Sequence, residues 1–375
     1  MRKKPVIRLF ISFASLIVVL LTVTGCAEKS PVTSPNMQNA NNSALPKPGI
    51  QTKFQQFNLV SDISFPGARM DPNLTNAWGL TVTPTGIFWI SANHSGMSTI
   101  YDSSGNQRIN PVTIPTVGNA PGGAPSGVVF NTTSFFKLPN GNLSRFIFAG
   151  EDGIISAWAP SSGSSATVVA DQSARNAVYK GIELARNGSD YFLYATNFKQ
   201  SKVDVFDTSF HLVNGMPFNH PKIPQGFAPF NIKEINGMLF ITYALHKAPD
   251  NMDDQKGPGN GFIDIFTTAG VFVSRFASQG ALNSPWGITE GFDNEKLGST
   301  ILIGNFGDGR INVFRTSGEF MGQVRDEKEK PVTIEGLWAL FTSRTIPAVG
   351  NRIYFTAGPN DENDGLFGYL LSKHD

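Results

Sequence analysis

The chain has 375 residues with 30 Lys and Arg against 29 Asp and Glu, a formal net charge of +1; that balance gives no reason to expect nucleic acid or a basic-patch membrane contact. Its single cysteine excludes a disulfide framework and a thiolate metal site. Charged residues are only 16% while Gly (38) and Phe (30) are abundant, and many turn formers beside many aromatic sheet formers point to an all-β protein.

The first eight residues carry Arg2, Lys3, Lys4 and Arg8, and residues 9–21 are apolar apart from two serines. This is the layout of an export signal. The following Val23-Thr24-Gly25-Cys26 resembles the lipobox of bacterial lipoproteins. That resemblance implies cleavage between Gly25 and Cys26 and lipidation of the Cys26 thiol. The alternative is a short membrane anchor, but the apolar run is shorter than the roughly 20 residues a span needs. A lipidated Cys26 tethers an otherwise soluble body to the cell envelope. Ala27, where an inner-membrane retention signal has Asp, implies the outer membrane in a host that has two. Loss of residues 1–25 removes four cations and no anion, leaving 26 basic and 29 acidic residues, a net of −3. Residues 26–53, rich in Pro, Ser and Asn, read as a flexible linker of roughly 30 Å reach.

From residue 54 to 371 the chain repeats itself. A short apolar segment recurs as Ala77-Trp78-Gly79-Leu80, Pro125-Ser126-Gly127-Val128, Tyr179-Lys180-Gly181-Ile182, Pro229-Phe230-Asn231-Ile232, Pro285-Trp286-Gly287-Ile288 and Ile334-Glu335-Gly336-Leu337. The third positions, 79, 127, 181, 231, 287 and 336, are separated by 48, 54, 50, 56 and 49 residues. Each start precedes a second β run, at 87–92, 145–149, 191–196, 238–243, 300–304 and 352–357. A third follows at 98–102, 153–157, 202–207, 261–267, 310–315 and 365–370, and no segment shows a helical period. A repeat of about 50 residues with three or four strands is a propeller blade, and six repeats predict a six-bladed β-propeller. The last repeat stops after three strands, while 57–63 is an orphan strand before the first. The orphan therefore completes the sixth blade and hides the sheet edges. Two stacked sandwiches fit the spacing worse.

In such a ring the loops between second and third strands share one mouth of the central channel. Here they supply Asn93 and His94, Glu151 and Asp152, Asn197 and Lys199, the insertion 244–260 with His246, Asp253 and Asp254, then Asn305, Asp308 and Arg310, and finally Asn360, Asp361 and Glu362. Tight turns alone select Asn, Asp and Gly, yet an insertion that long is more often functional than not. It suits a lid, a partner-binding tab or a cation site. Asn360, Glu362 and Asp364 are spaced like the start of a calcium loop, although Leu371 stands where an EF-hand needs its bidentate Glu. Ca2+ is thus a possible ligand, and no cofactor is certain. Asp308 and Arg310 suit an anionic or sugar-like ligand, or simply pair with each other. The histidines have no paired metal spacing, and no G-x-S-x-G elbow occurs. Trp78, Trp286 and Trp338, near first-strand starts, read as packing between blades.

Residues 57–370 resemble a family of secreted bacterial β-propeller proteins, distantly NHL-like, some ending in a PEP-CTERM sorting segment. The resemblance rests on Asn283-Ser284-Pro285-Trp286-Gly287-Ile288, Gly304-Asn305-Phe306-Gly307-Asp308-Gly309-Arg310-Ile311, Gly336-Leu337-Trp338-Ala339-Leu340, Tyr354-Phe355-Thr356-Ala357-Gly358-Pro359-Asn360-Asp361-Glu362 and Gly257-Pro258-Gly259-Asn260-Gly261-Phe262. It implies fold and surface location but no activity. The expectation is a monomeric, tethered binding scaffold for an extracytoplasmic protein or polysaccharide. The alternative is a metal-dependent propeller hydrolase similar to lactonases, with Asn93, Glu151, Asp152, Asn197 and Asn305 as candidates around a divalent cation.

Overall fold

The computed structural model describes residues 52–219, 222–291, 299–343 and 345–373. The expected signal segment, Cys26 and the linker up to residue 51 lie outside the described residues. Within them the protein is a six-bladed β-propeller. Blade one comprises Ala77–Val82, Phe88–Ala92, Met97–Tyr101 and Val112–Thr113; blade two comprises Pro125–Phe130, Phe146–Gly150, Ile154–Trp158 and Thr167–Asp171. Blade three follows with Tyr179–Asn187, Asp190–Asn197, Lys202–Phe206 and Leu212–Val213, and blade four with Phe227–Ile235, Met238–Leu245, Phe262–Thr267 and Phe272–Ser278. Blade five is Pro285–Glu290, Thr300–Asn305, Ile311–Arg315 and Phe320–Gln323. The first strand of each blade packs on that of the next, and Leu337–Phe341 of the sixth returns to Ala77–Val82.

The sixth blade is assembled from both ends of the described chain. Leu337–Phe341, Arg352–Ala357 and Leu366–Lys373 are completed by Lys53–Ser61, antiparallel from Lys53↔Lys373 to Ser61↔Leu366. This strand starts four residues before the expected Phe57. Phe54 is the reason, since its ring is 5% exposed in one core cluster with Val324, Val332 and Leu370. Burying one such side chain contributes about 2 kcal/mol, enough to hold the strand end against fraying.

The recurring third-position glycine marks a bulge where first strands approach one another. Register shifts fall between Pro125 and Gly127, Tyr179 and Gly181, and Pro285 and Gly287. A Cβ on Gly181 would stand 2.2 Å from Asn231 Oδ1 and 2.8 Å from its Cα. One on Gly287 would meet the Trp338 carbonyl at 2.8 Å. The sixth copy is a correction to the sequence alignment. In blade six the shift falls between Leu337 and Leu340, so Ala339 is the counterpart of Gly287. Gly336 lies outside the strand with φ +64°, its Cβ position 2.0 Å from the Gly358 carbonyl.

Candidate functional site

First strands begin at the mouth, so residues just inside their starts fill the channel there. Trp78, Trp286, Trp338, Phe198, Phe230 and Phe306 form one buried cluster. The Trp338 indole is sandwiched between Trp78 and Phe306, with ring centroids 3.7 Å away on both sides. Its Nε1 donates to Asn76 Oδ1 at 2.9 Å, and Trp286 Nε1 donates to the Lys180 carbonyl at 3.1 Å. The tryptophans are packing, as their positions predict, and they floor the mouth with an aromatic layer.

A charged cluster rests on this floor. Lys180, 2% exposed in its side chain, donates from Nζ to Glu151 and, at 3.1 Å, to Asp253. The ammonium lies 5.1 Å from the Trp78 ring centroid, a cation–π distance. Burial disfavours its charge, but the fields and hydrogen bonds of Glu151 and Asp253 prevail and hold it above the ordinary lysine range. Glu151 accepts a second bond from Asn93 Nδ2 at 2.8 Å. Glu362 accepts from Asn76 Nδ2 at 2.9 Å. Burial pushes the Glu362 carboxyl up to about 7; Glu151 and Asp253 push the same way, while Lys180 and the Asn76 amide oppose.

The insertion folds inward as a lid over this cluster. The backbones of His246 and Asp254 pair as an antiparallel β-bridge, in which the Lys247 amide donates to the Asp253 carbonyl at 2.8 Å. Besides Asp253 on Lys180, it lays Lys256 Nζ 4.3 Å from the Phe306 ring centroid and 4.0 Å from Asp361. Asp254 is 8% exposed and its carboxyl is raised, chiefly by burial against the pull of Lys180 and Lys256. His246 Nε2 lies 2.8 Å from the Phe198 carbonyl.

Glu151, Asn93, Asp253 and Glu362 are thus brought together, joined by Asn76, Lys180 and Lys256. The other candidates go elsewhere. Asn197 is fully buried, its amide donating to Asp204 at 2.8 Å. Asn305, also buried, donates to the Ala281 carbonyl and to Asp308. Asp308 further accepts the Arg310 backbone N–H at 3.3 Å, not its guanidinium, and Arg310 is exposed. Asp152 turns onto its own hairpin, accepting from the Ile154 amide, and burial raises its carboxyl. His94 is exposed and Lys199 half-buried. Asn360, Asp361 and Glu362 all have positive φ. This turn sends Glu362 in to Asn76 and leaves Asp361 with 98% of its side chain exposed, so the calcium-loop spacing does not gather its oxygens. Among the described residues no three of His, Cys, Asp or Glu form a metal-holding group.

Lys180 is the key residue that sequence reasoning missed. Its counterparts in the other blades are Trp78, Ser126, Phe230, Trp286 and Trp338. A lone cation in that column was the available signal.

No family model matches the chain. It is similar to the uncharacterised protein L690 of Acanthamoeba polyphaga mimivirus, 31% identical over 351 residues and covering 90% of each chain. It is similar too to R648 of the same virus, 32% identical over 327 residues, covering 83% of this chain and 78% of that one. Among solved structures, virginiamycin B lyase from Staphylococcus aureus superposes with a TM-score of 0.52 at 13% identity, covering 86% of this chain and 99% of that one. The α-L-arabinofuranosidase Arb93a from Fusarium graminearum gives 0.55 at 12%, covering 85% and 98%. At these identities the likeness carries the propeller fold and nothing more.

Proposed function

The chain belongs to the family of the mimivirus proteins L690 and R648, and we propose that it acts as a tethered binding module whose lidded mouth engages an extracytoplasmic polysaccharide or protein. The observation that carries this reading is the Lys180 ammonium lodged between Glu151 and Asp253. Where a propeller hydrolase would gather carboxylates on a divalent cation, this mouth already holds an internal one. Asn197 and Asn305, which the hydrolase reading needs as ligands, are committed to Asp204 and Asp308. The six loops and Lys180 together carry nine Asp and Glu against five Lys and Arg. That acidic excess, with Asp253 and Asp361 displayed at the rim, suits a partner rich in hydroxyl or amino groups.

The tether is the Cys26 lipid implied by the lipobox resemblance, with the segment after it as spacer. Two chemical signals are what stable anchoring requires, and mass spectrometry of the mature N-terminus tests it. Cys26→Ser is expected to move the protein from the membrane fraction to the soluble one. The mouth is tested by glycan-array and pull-down binding of the full chain against a variant with residues 247–256 replaced by a short Gly-Ser turn. Loss of bound partner by a lidless variant that still unfolds cooperatively supports the reading. Recovery of the same partners by the lidless variant, or metal-dependent turnover of a lactone that chelator abolishes, overturns it.

A further inference from the structure

The opposite end of the channel, away from the loops, holds an open cavity of about 480 Å³, within the size range of small-molecule sites. Its wall is a ring of aliphatic side chains, Leu80, Val128, Ile182, Ile232, Ile288 and Leu340. Each blade supplies one, always the residue after its first-strand bulge. Trp286 and Ala339, members of the aromatic layer, also line it, so the two ends of the channel are separated by that layer.

The charged groups of the lining are gathered on the side of blades three to five. Lys233 Nζ binds Glu183 Oε2 at 2.7 Å. Glu183 is 9% exposed in its side chain, and its other oxygen accepts the Leu184 amide at 3.1 Å. This ion pair is therefore fixed in the wall. Lys233 is enclosed by the channel yet has 45% of its side chain open, as a group inside a funnel would. Glu234 and Glu290, which also line the cavity, add their fields to the same ammonium without bonding to it. Three carboxylates thus act on one cation, one oxygen of Glu234 also accepting the Gly237 amide. An anion reaching Lys233 would meet all three, whereas a cation would meet two carboxylates that no ion pair neutralises among the described residues.

We propose that this funnel is a binding site for a small amphipathic organic cation, its apolar body inside the aliphatic ring and its ammonium or amidinium group between Glu234 and Glu290. The site is independent of the lidded mouth.

The test titrates the full-length chain by calorimetry with three probes of one shape: phenethylamine, 2-phenylethanol and phenylacetate. The amine is expected to saturate at millimolar concentration or below, the alcohol about tenfold more weakly, and the carboxylate most weakly. Glu234→Gln with Glu290→Gln is expected to reduce amine affinity to that of the alcohol while leaving the alcohol unchanged. Ile232→Trp, which fills the ring, is expected to abolish both. Glu290 is exposed, so Glu290→Gln alone gives a folded variant in which a partial loss of amine preference must appear. Phenylacetate binding as tightly as the amine, an amine affinity unmoved by Glu290→Gln, or no saturation by any probe overturns the proposal. Replacing the lid must leave amine binding unchanged, so failure at the mouth and failure at the funnel are separable.

Discussion

Lys180 and Glu151 differ in how much water reaches them, and that difference predicts an ordering of stabilities. Lys180 is 2% exposed and Glu151 21%. Glu151→Gln leaves a buried ammonium with only Asp253, whose side chain is 65% exposed and loosely held. An uncompensated buried charge costs about 3–5 kcal/mol; the remaining contact with Asp253 places this variant near the lower bound. Lys180→Met instead leaves the Glu151 carboxylate, which keeps its bond from Asn93 and can hydrate through the mouth. Its cost is the penalty of an under-satisfied acceptor, about 1–2 kcal/mol, plus about 1 kcal/mol for the lost contact with Trp78. Asp253→Asn, at an exposed position, costs less than about 1 kcal/mol. Combining Glu151→Gln with Lys180→Met removes both charges, so the double variant is expected to be more stable than Glu151→Gln alone. Urea unfolding followed by tryptophan fluorescence, analysed as a double-mutant cycle, measures each quantity. If Glu151→Gln proves milder than Lys180→Met, or the double variant is the least stable of the set, Lys180 is not a buried cation neutralised chiefly by Glu151.

Glu362 makes a pH signature. Its carboxyl is raised from the ordinary 4.5 to about 7, so the native state keeps a proton that the unfolded chain has already released. Stability therefore falls as pH rises from 4.5 towards 7 and levels off above. Glu362→Gln should flatten that part of the melting-temperature profile, and an unchanged slope contradicts the assignment. Gly181→Ala should cost about 1–3 kcal/mol by overpacking, because its Cβ would meet the Cα of Asn231 as well as its side chain; a neutral result by urea denaturation would remove the close-approach account of the repeat. A chain starting at Asp62 loses the strand that closes blade six. It exposes the edge Leu366–Lys373 and withdraws Phe54 and Val60 from the core, about 2 kcal/mol each. Size-exclusion chromatography should show aggregation in place of a monomer.

The ring was legible because blade construction is local. The second run expected at 352–357 is the strand Arg352–Ala357, and the third at 202–207 is Lys202–Phe206. Turn residues and apolar runs mark these hairpins within a few residues of their ends. Closure followed from a missing strand at one end and a spare one at the other. The destinations of the mouth residues were not local. Asn197 and Asn305 end their second strands, paired with Tyr179 and Pro285 as Ala92 is with Ala77, and their amides bond to Asp204 and Asp308. Asn93 stands one residue further on, where blades two, three and five have Glu151, Phe198 and Phe306, and from there it reaches Glu151.

Charges on the first strands are not legible in the sequence for a different reason. Loops are where binding residues usually lie, and a charge on a strand carries no such signal in the sequence. Glu183 and Lys233 hold the same place in neighbouring blades, two residues beyond the bulge positions 181 and 231. In a linear reading they are fifty residues apart and unrelated. Once the first strands are set side by side round an axis, opposite charges at matched positions must face each other, and the 2.7 Å contact between them is that consequence. The same alignment places Lys180 alone among Trp78, Ser126, Phe230, Trp286 and Trp338. A buried cation in such a column requires carboxylates from a neighbouring loop, which is why Glu151 and the lid's Asp253 turn inward.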